Sequence, residues 1–309
     1  MASARCFLTG EEYSPLELHN LIAKSLEYKQ GRGKEDHMVL TNKSVALLFE
    51  KPSLRTRVSF SVAVAELGGN PIEILSSSRK NEEPEDTIRV LSGYVHALMM
   101  RTFDHQILKR MVPHTRIPII NGLSDSHHPC QALADVMTLT ERYGDLRGKK
   151  VAWLGDGNNV LHSLLLIAPA FGVNVCFACP EGYGPNSLIV KKALKLAQAN
   201  GCVVEGISSI THALKNADAV YTDVWTSMGA EEEETERDRI FLAYQLNIES
   251  YQFAKPEAAI LHCMPMVRGK EITEEMIDHP HSLIFQQSEN RLHVQKALLA
   301  DLCLPQGKT

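Results

Sequence analysis

The sequence predicts an α/β protein of two domains, each a parallel sheet flanked by helices, joined by long interdomain helices. Short apolar runs alternate with longer stretches of helical spacing, which is the pattern of parallel-sheet units. The alternation pauses after a long helical stretch and restarts beyond Gly144-Asp-Leu-Arg-Gly148. The chain has 309 residues, which suits two domains of about 100–200 residues, each able to bury a core. The expected division is 1–140 and 141–287, with a C-terminal helix, 288–309, packing back on the first domain.

Taken in order, Ser14–Gln30 carries Leu16, Leu18, Leu21, Ile22, Leu26 and Tyr28 at helical spacing and stops at Gly31 and Gly33. Ser44–Phe49 is short, apolar and without alternation, so it reads as a strand buried on both faces. A helix over Val58–Leu67 closes at Gly68-Gly69, and a short strand, Pro71–Leu75, follows. After a polar loop (Ser76–Glu85) come a helix with Ile88, Val90, Leu91 and Val95, a strand at Ala97–Met100 ending on Arg101, and a strand at Ile117–Ile120. Pro129–Tyr143 is the connecting helix. The second half then runs strand Val151–Leu154, helix Leu161–Phe171, strand Val173–Ala178 and helix Leu188–Asn200. Strand Val203–Gly206, helix Ile210–Lys215 and strand Ala219–Thr222 complete the pattern.

Composition narrows the function. Hydrophobic residues make up 44% and charged residues 22%, a globular balance that excludes wholesale disorder. The net charge is −5, from 32 basic and 37 acidic residues, with no basic tract. Duplex nucleic acid needs clustered Lys and Arg and is excluded as a main partner. A small anionic substrate needs only a local basic pocket. The seven cysteines are odd in number and scattered, unlike a disulfide framework. Cys176 and Cys179 form a CxxC in an apolar run, but no second pair completes a zinc site. No His, Asp or Glu set has metal-ligand spacing, so no metal and no cofactor are expected. The first residues, MASARCFLTGEEYS, lack the apolar core of a signal peptide, and Leu164–Gly172 is too short to span a bilayer. A soluble, cytoplasmic protein without a membrane partner is expected.

Chemistry concentrates first in Phe49-Glu-Lys-Pro-Ser-Leu-Arg-Thr-Arg-Val-Ser-Phe60. A buried strand runs into Ser53, Leu54, Arg55, Thr56 and Arg57 at a helix start. Helix N-termini present unpaired N–H groups and a partial positive charge to an oxyanion. Guanidiniums add bidentate contacts. The segment is not a P-loop, since GxxxxGK[ST] is absent. Gly155-Asp-Gly-Asn-Asn159 follows a strand and opens a helix, a near miss to the dinucleotide fingerprint. It lacks the third glycine, and Cys176–Pro180 offers no acidic residue for a ribose.

The Ser-x-Arg-Thr-Arg motif resembles the carbamoyl-phosphate site of the transcarbamoylases, the aspartate and ornithine carbamoyltransferase family. His128-Pro-Cys-Gln131-Ala-Leu-Ala-Asp matches the family's His-Pro-x-Gln element, and Arg101 stands where the family keeps its next phosphate-binding arginine. Asp223-Val-Trp-Thr-Ser-Met-Gly229, His262-Cys263-Met-Pro265, the Gly155–Asn159 turn and Ser288-Glu-Asn-Arg291 are similar to the elements of the ornithine-using branch. The resemblance implies transfer of a carbamoyl group from carbamoyl phosphate to the side-chain amine of L-ornithine, giving citrulline and phosphate for arginine synthesis. It implies a carbamoyl-phosphate set of Ser53, Leu54, Arg55, Thr56, Arg57, Arg101, His128, Gln131 and Arg291. It implies an ornithine set of Asn159, Asp223, Ser227, Met228, Cys263 and Met264, with Arg101, His128, Asp223 and Cys263 carrying the catalysis. A homotrimer is the family expectation, as is closure of the Ser-Met-Gly loop after carbamoyl phosphate binds.

Some positions depart from the family pattern. The stretch Ser78–Leu91 lacks the glycines that relatives carry there, Met264 replaces the usual Leu, and Met266-Val267 precede Arg268. Three other readings stand beside this one: a transcarbamoylase with another acceptor such as putrescine or an acylated ornithine, a nucleotide-dependent oxidoreductase, and a non-catalytic binding protein on the same scaffold. The intact Ser-Met-Gly loop disfavours the first, the missing glycine the second, and the four arginines 55, 57, 101 and 291 the third.

Overall fold

In the computed structural model, which describes residues 4–35, 37–75, 82–226 and 233–304, the chain forms two compact units. One comprises residues 1–134 and 290–309, the other 135–289. These boundaries fall within two helices, Pro129–Tyr143 and Ile284–Cys303, a few residues from the expected 140/141 and 287/288.

The first unit holds a four-stranded parallel sheet ordered β2-β1-β3-β4, with β1 at Ser44–Phe49, β2 at Asn70–Leu75, β3 at Ala97–Arg101 and β4 at Ile119–Leu123. Strands β1 and β3 are central and almost wholly buried, which explains their unbroken apolar runs. Strand β4 extends past the expected end at Ile120 and includes Asn121-Gly122. A Cβ on Gly122 would sit 2.4 Å from Met99 Sδ, so a larger residue there would require the Met99 side chain to move. The outer edge of β4 is met by Phe7, whose N–H donates to Ile119 O and whose carbonyl accepts from Asn121 N–H, both at 2.8 Å. Helix α1 (Pro15–Gln30) starts with a capping box between Ser14 and Glu17. Helix α2 spans Leu54–Glu66, four residues earlier than the apolar spacing marks, because Ser53 caps it. Helices α3 (Pro84–Leu91) and α4 (His105–Met111) follow.

The second unit holds five parallel strands ordered β7-β6-β5-β8-β9: β5 Lys150–Leu154, β6 Asn174–Ala178, β7 Val204–Ile207, β8 Ala219–Thr222 and β9 Ala259–His262. The last strand is a correction, since the sequence reading ends the sheet at Thr222. Helix α5 is the connector Pro129–Tyr143. Helix α6 (Asn159–Ile167) gives way to a 3-10 turn over Ala168–Phe171, where Pro169 cannot donate to an α-helical ladder. Helices α7 (Ser187–Ala199), α8 (Ile210–Leu214), α9 (Glu234–Phe241), α10 (Ile248–Tyr251) and α11 (Glu274–Ile277) cover the sheet, and α12 is Ile284–Cys303. Ala152, Leu154, Val220 and Ile260 on the sheet pack with Leu214, Leu246, Ile272 and Met276 in a continuous apolar core.

Both strand orders reverse direction once. In the first unit the chain leaves β1 for β2 and returns to β3, so the switch lies between β1 and β3. In the second it runs β5, β6, β7 and returns to β8, so the switch lies between β5 and β8. Ligands of open α/β sheets bind beyond the carboxyl ends of strands at such points. Among the described residues no helix is long and apolar enough to cross a membrane.

Candidate active site

At the switch of the first unit, the register pairs Phe49 of β1 with Arg101 of β3. The chain leaving β1 turns through Glu50–Pro52, with Glu50 N–H donating to Arg101 O at 2.9 Å, and enters α2 at Ser53. Ser53 Oγ accepts from Thr56 N–H at 3.2 Å, a standard N-cap arrangement. The first turn of α2 therefore carries Leu54, Arg55, Thr56 and Arg57 at the positive end of the helix. Thr56 is fully buried, and its hydroxyl receives two guanidiniums, from Arg291 Nη2 at 2.6 Å and Arg101 Nη1 at 3.5 Å. Arg291 reaches it from α12. His128, buried just before α5, lies close enough to Arg291 and Arg101 to feel both charges. Burial first, and then those two cations, hold its pKa well below the usual 6.5. His128 is thus a neutral donor or acceptor beside two fixed positive charges. Gln131, fully buried, follows one turn later, its N–H on His128 O at 3.0 Å.

Two expected members stand differently. Arg57 is half exposed on the outer side of α2, and its Nε donates to Glu73 of β2 at 2.6 Å. Its guanidinium serves the α2–β2 contact, not the group around Thr56. Leu54 is 74% exposed, so any part it plays comes from its backbone in the first helical turn. The neighbouring thiol of Cys130 is pushed up to about 12, chiefly by burial, which makes it a poor nucleophile.

In the second unit the register pairs Thr222 of β8 with both Leu154 of β5 and His262 of β9. Gly155, Asp223 and Cys263 are the next residues on those three strands, so they share one edge of the sheet. Asp223 is buried. Its Oδ1 accepts from Cys263 Sγ at 2.9 Å, and its Oδ2 accepts from Asn158 Nδ2 at 2.7 Å. Asn158 also caps α6, its Oδ1 accepting from Val160 N–H at 2.9 Å and Leu161 N–H at 3.3 Å. Both ends of the Asn158 amide are thereby committed, whereas Asn159 stands in the first turn of α6. Gly157 has a packing reason: a Cβ there would meet Pro185 N at 2.2 Å and Gly184 C at 2.3 Å. The glycines of this turn are explained by its own tight fold, which weakens a dinucleotide reading.

Behind Cys263, His262 is fully buried. Its Nδ1 accepts from Met264 N–H at 2.9 Å and its Nε2 faces Glu271 Oε1 at 2.9 Å. The ring proton therefore belongs on Nε2. Met264 adopts φ 57°, a left-handed conformation that a non-glycine residue takes only when its surroundings enforce it. Shortly after β8, Trp225 O accepts from Arg237 Nε at 2.7 Å, and the same guanidinium holds Asp156 at 2.9 Å. Ser227 and Met228 lie outside the described residues.

One donor set corrects the reading from spacing. Asp223, His262 and Cys263 each bring a ligand atom within 4.8 Å of the others, a cluster that distances along the chain conceal. Both ring nitrogens of His262 are already engaged, so an ion there would displace either Met264 N–H or Glu271. The CxxC thiols are not reactive candidates, since burial pushes Cys176 and Cys179 both up to about 12. The resemblance places Asp223 and Cys263 together on the acceptor; their direct hydrogen bond and the roles of His262, Glu271 and Arg237 are absent from the sequence reading. The available signal was that Asp223 and Cys263 each follow a short apolar run directly.

Two family models match the chain: the carbamoyl-P binding domain of aspartate/ornithine carbamoyltransferase over residues 5–141, and the Asp/Orn binding domain over 147–302. An ornithine carbamoyltransferase of Pyrococcus abyssi is 44% identical over 301 residues, covering 96% of this chain and 95% of its own. One from Anoxybacillus flavithermus is 46% identical over 301 residues, covering 96% of each. Among solved structures, the ornithine carbamoyltransferase of Pyrococcus furiosus superposes with a TM-score of 0.93 at 42% identity, over 97% of this chain and 98% of that one.

Proposed function

This chain belongs to the aspartate/ornithine carbamoyltransferase family, and on that premise we propose that it transfers the carbamoyl group of carbamoyl phosphate to the side-chain amine of L-ornithine. The products are L-citrulline and phosphate, and the step serves arginine synthesis. Ser53, Arg55, the first N–H groups of α2 and Arg101 hold the phosphate. Thr56, Arg101, His128 and Arg291 surround the carbamoyl oxygen, and Gln131 takes the carbamoyl amide. Attack of the neutral amine on the carbonyl carbon pushes charge onto that oxygen, where fixed donors lower the barrier. The C–O bond to phosphate then breaks, and a phosphate oxygen accepts the proton lost by the amine. No protein base is required.

The observation that carries the choice of acceptor is Asp223, buried and fixed between Cys263 and Asn158. An acidic side chain at this point suits a cationic amino acid. Aspartate would bring a second carboxylate against it, and like charges at close range are unfavourable. Asn159, Asp223, Ser227 and Met228 take the α-amino and α-carboxylate ends of ornithine, with Cys263 and Met264 along its stem. We assign the protein to the cytoplasm as a homotrimer. Light scattering should then report three times the 34.4 kDa chain mass, and a monomer would refute the trimer.

The test of the activity is citrulline formation from carbamoyl phosphate and L-ornithine, run beside putrescine, N-acetylornithine and aspartate. Turnover with ornithine alone is the expected result. Turnover with another acceptor would keep the phosphate half and refute the reading of Asp223. Silence with all four would return the chain to the class of binding proteins.

A further inference from the structure

The final Asp of the element His128-Pro-Cys-Gln131-Ala-Leu-Ala-Asp has no part in the mechanism above, yet it is fully buried on α5. A carboxylate is costly to bury unless its oxygens are satisfied. Asp135 Oδ1 accepts from Gln287 Nε2 at 2.6 Å and from Tyr221 OH at 3.3 Å. Gln287 Oε1 in turn accepts from His262 N–H at 2.9 Å. All four residues are fully buried, and Tyr221 is near enough to Asp223 and Cys263 to be influenced by their charge.

What these bonds hold is specific. Tyr221 lies on β8 two residues before Asp223, and His262 ends β9 one residue before Cys263. The pairing Thr222 with His262 sets how the two strands slide past each other. The carboxylate of Asp135 ties the ends of both strands to one point, directly through Tyr221 and through Gln287 to the His262 backbone. We propose that Asp135 is a positioning residue for the acceptor half of the reaction, fixing the separation at which Cys263 meets Asp223. This rests on the reading of Asp223 and Cys263 given above. A misplacement of about 1 Å in a reacting arrangement can cost on the order of a hundredfold in rate, so a tether two hydrogen bonds away has room to matter.

The test uses the full-length chain and two readouts, kcat/KM for ornithine and equilibrium binding of carbamoyl phosphate. Asp135→Ala should lower kcat/KM for ornithine by about tenfold or more, while its Kd for carbamoyl phosphate stays within about twofold of the parent. Asp135→Asn keeps an acceptor oxygen in place and should restore most of the loss. Tyr221→Phe removes only the longer bond and should lower kcat/KM by a few-fold; it decides the matter if Asp135→Ala does not fold. Wild-type kcat/KM in both Asp135→Ala and Tyr221→Phe would overturn the proposal. Equal losses for both substrates would overturn it too, since that is general damage. So would an Asp135→Asn as impaired as the alanine variant, which would make charge, not position, the cause. A parent chain that forms no citrulline would instead refute the acceptor reading itself.

Discussion

Thr56 illustrates how a residue's surroundings decide its chemistry. Its hydroxyl accepts from Arg291 and Arg101 together, so two positive charges converge beside a helix N-terminus. That concentration of donors is stable in the fold because the guanidiniums are anchored at their stems by β3 and α12, and it is suited to an anion. Arg57, one residue further on, is diverted to Glu73. The two arginines should therefore respond differently to truncation. Arg101→Ala is expected to weaken carbamoyl-phosphate binding about a hundredfold or more, since charge-assisted, partly buried contacts are the strong ones. Arg57→Ala should weaken it less than about tenfold, because an exposed pair contributes little. Titration calorimetry with carbamoyl phosphate checks both, and a larger loss at Arg57 than at Arg101 would remove the present assignment of the phosphate site.

At the scale of elements, the residue cluster in each unit is made by strand ends and the helix that follows. Strand β1 delivers α2 with Ser53 as its cap, and β5 delivers α6 with Asn158 as its cap. The cap residue does double duty in the second case, since Asn158 also holds Asp223. The turn before α6 is as tight as backbone permits, with Gly157 N–H on Tyr183 O at 2.8 Å. Gly157→Ala would drive a Cβ into the Gly184–Pro185 backbone, where no side chain can swing away. The expected cost is about 1–3 kcal/mol of stability, read from urea unfolding, together with a higher KM for ornithine. A variant with unchanged stability and unchanged KM would show that the turn has slack that the geometry denies.

For the whole molecule, buried histidines set an acid limit. His105 is pushed down to about 4, first by burial and then by Lys109, and His128 is also held well below 6.5. In the unfolded chain both titrate near 6.5. Below that pH the unfolded state binds more protons than the native state, so stability falls as pH drops. The stabilising contribution is complete above 6.5, and for His105 it is lost progressively down to about 4. Each histidine contributes a slope approaching about 1.4 kcal/mol per pH unit. Urea midpoints should therefore decline steadily between about pH 6.5 and 5, a window above the carboxylates' own titration. A flat profile there would mean that these imidazoles are not held neutral.

The alternation of apolar runs and helical stretches was enough to determine two parallel α/β units, because strands buried on both faces must be uniformly apolar and their crossovers must be helical. The helix-start motif at Ser53–Arg57 was legible for a similar reason: caps and dipoles act within one turn, and their residues are adjacent in the chain. Strand β9, Ala259–His262, was missed because the crossover before it is made by a strongly charged eight-residue helix and a four-residue one, so no apolar helical stretch announces another strand. The family resemblance already puts Asp223 and Cys263, forty positions apart, in one acceptor set, but the hydrogen bond between them depends on β8 and β9 being neighbours in register. The diversion of Arg57 to Glu73, the tether from Asp135 to two strand ends and the donor cluster of Asp223, His262 and Cys263 were likewise decided by tertiary structure alone. Hydrogen bonds between side chains reach only about 3 Å, so which residues they join depends on where packing sets the strand ends, and local sequence carries no record of that.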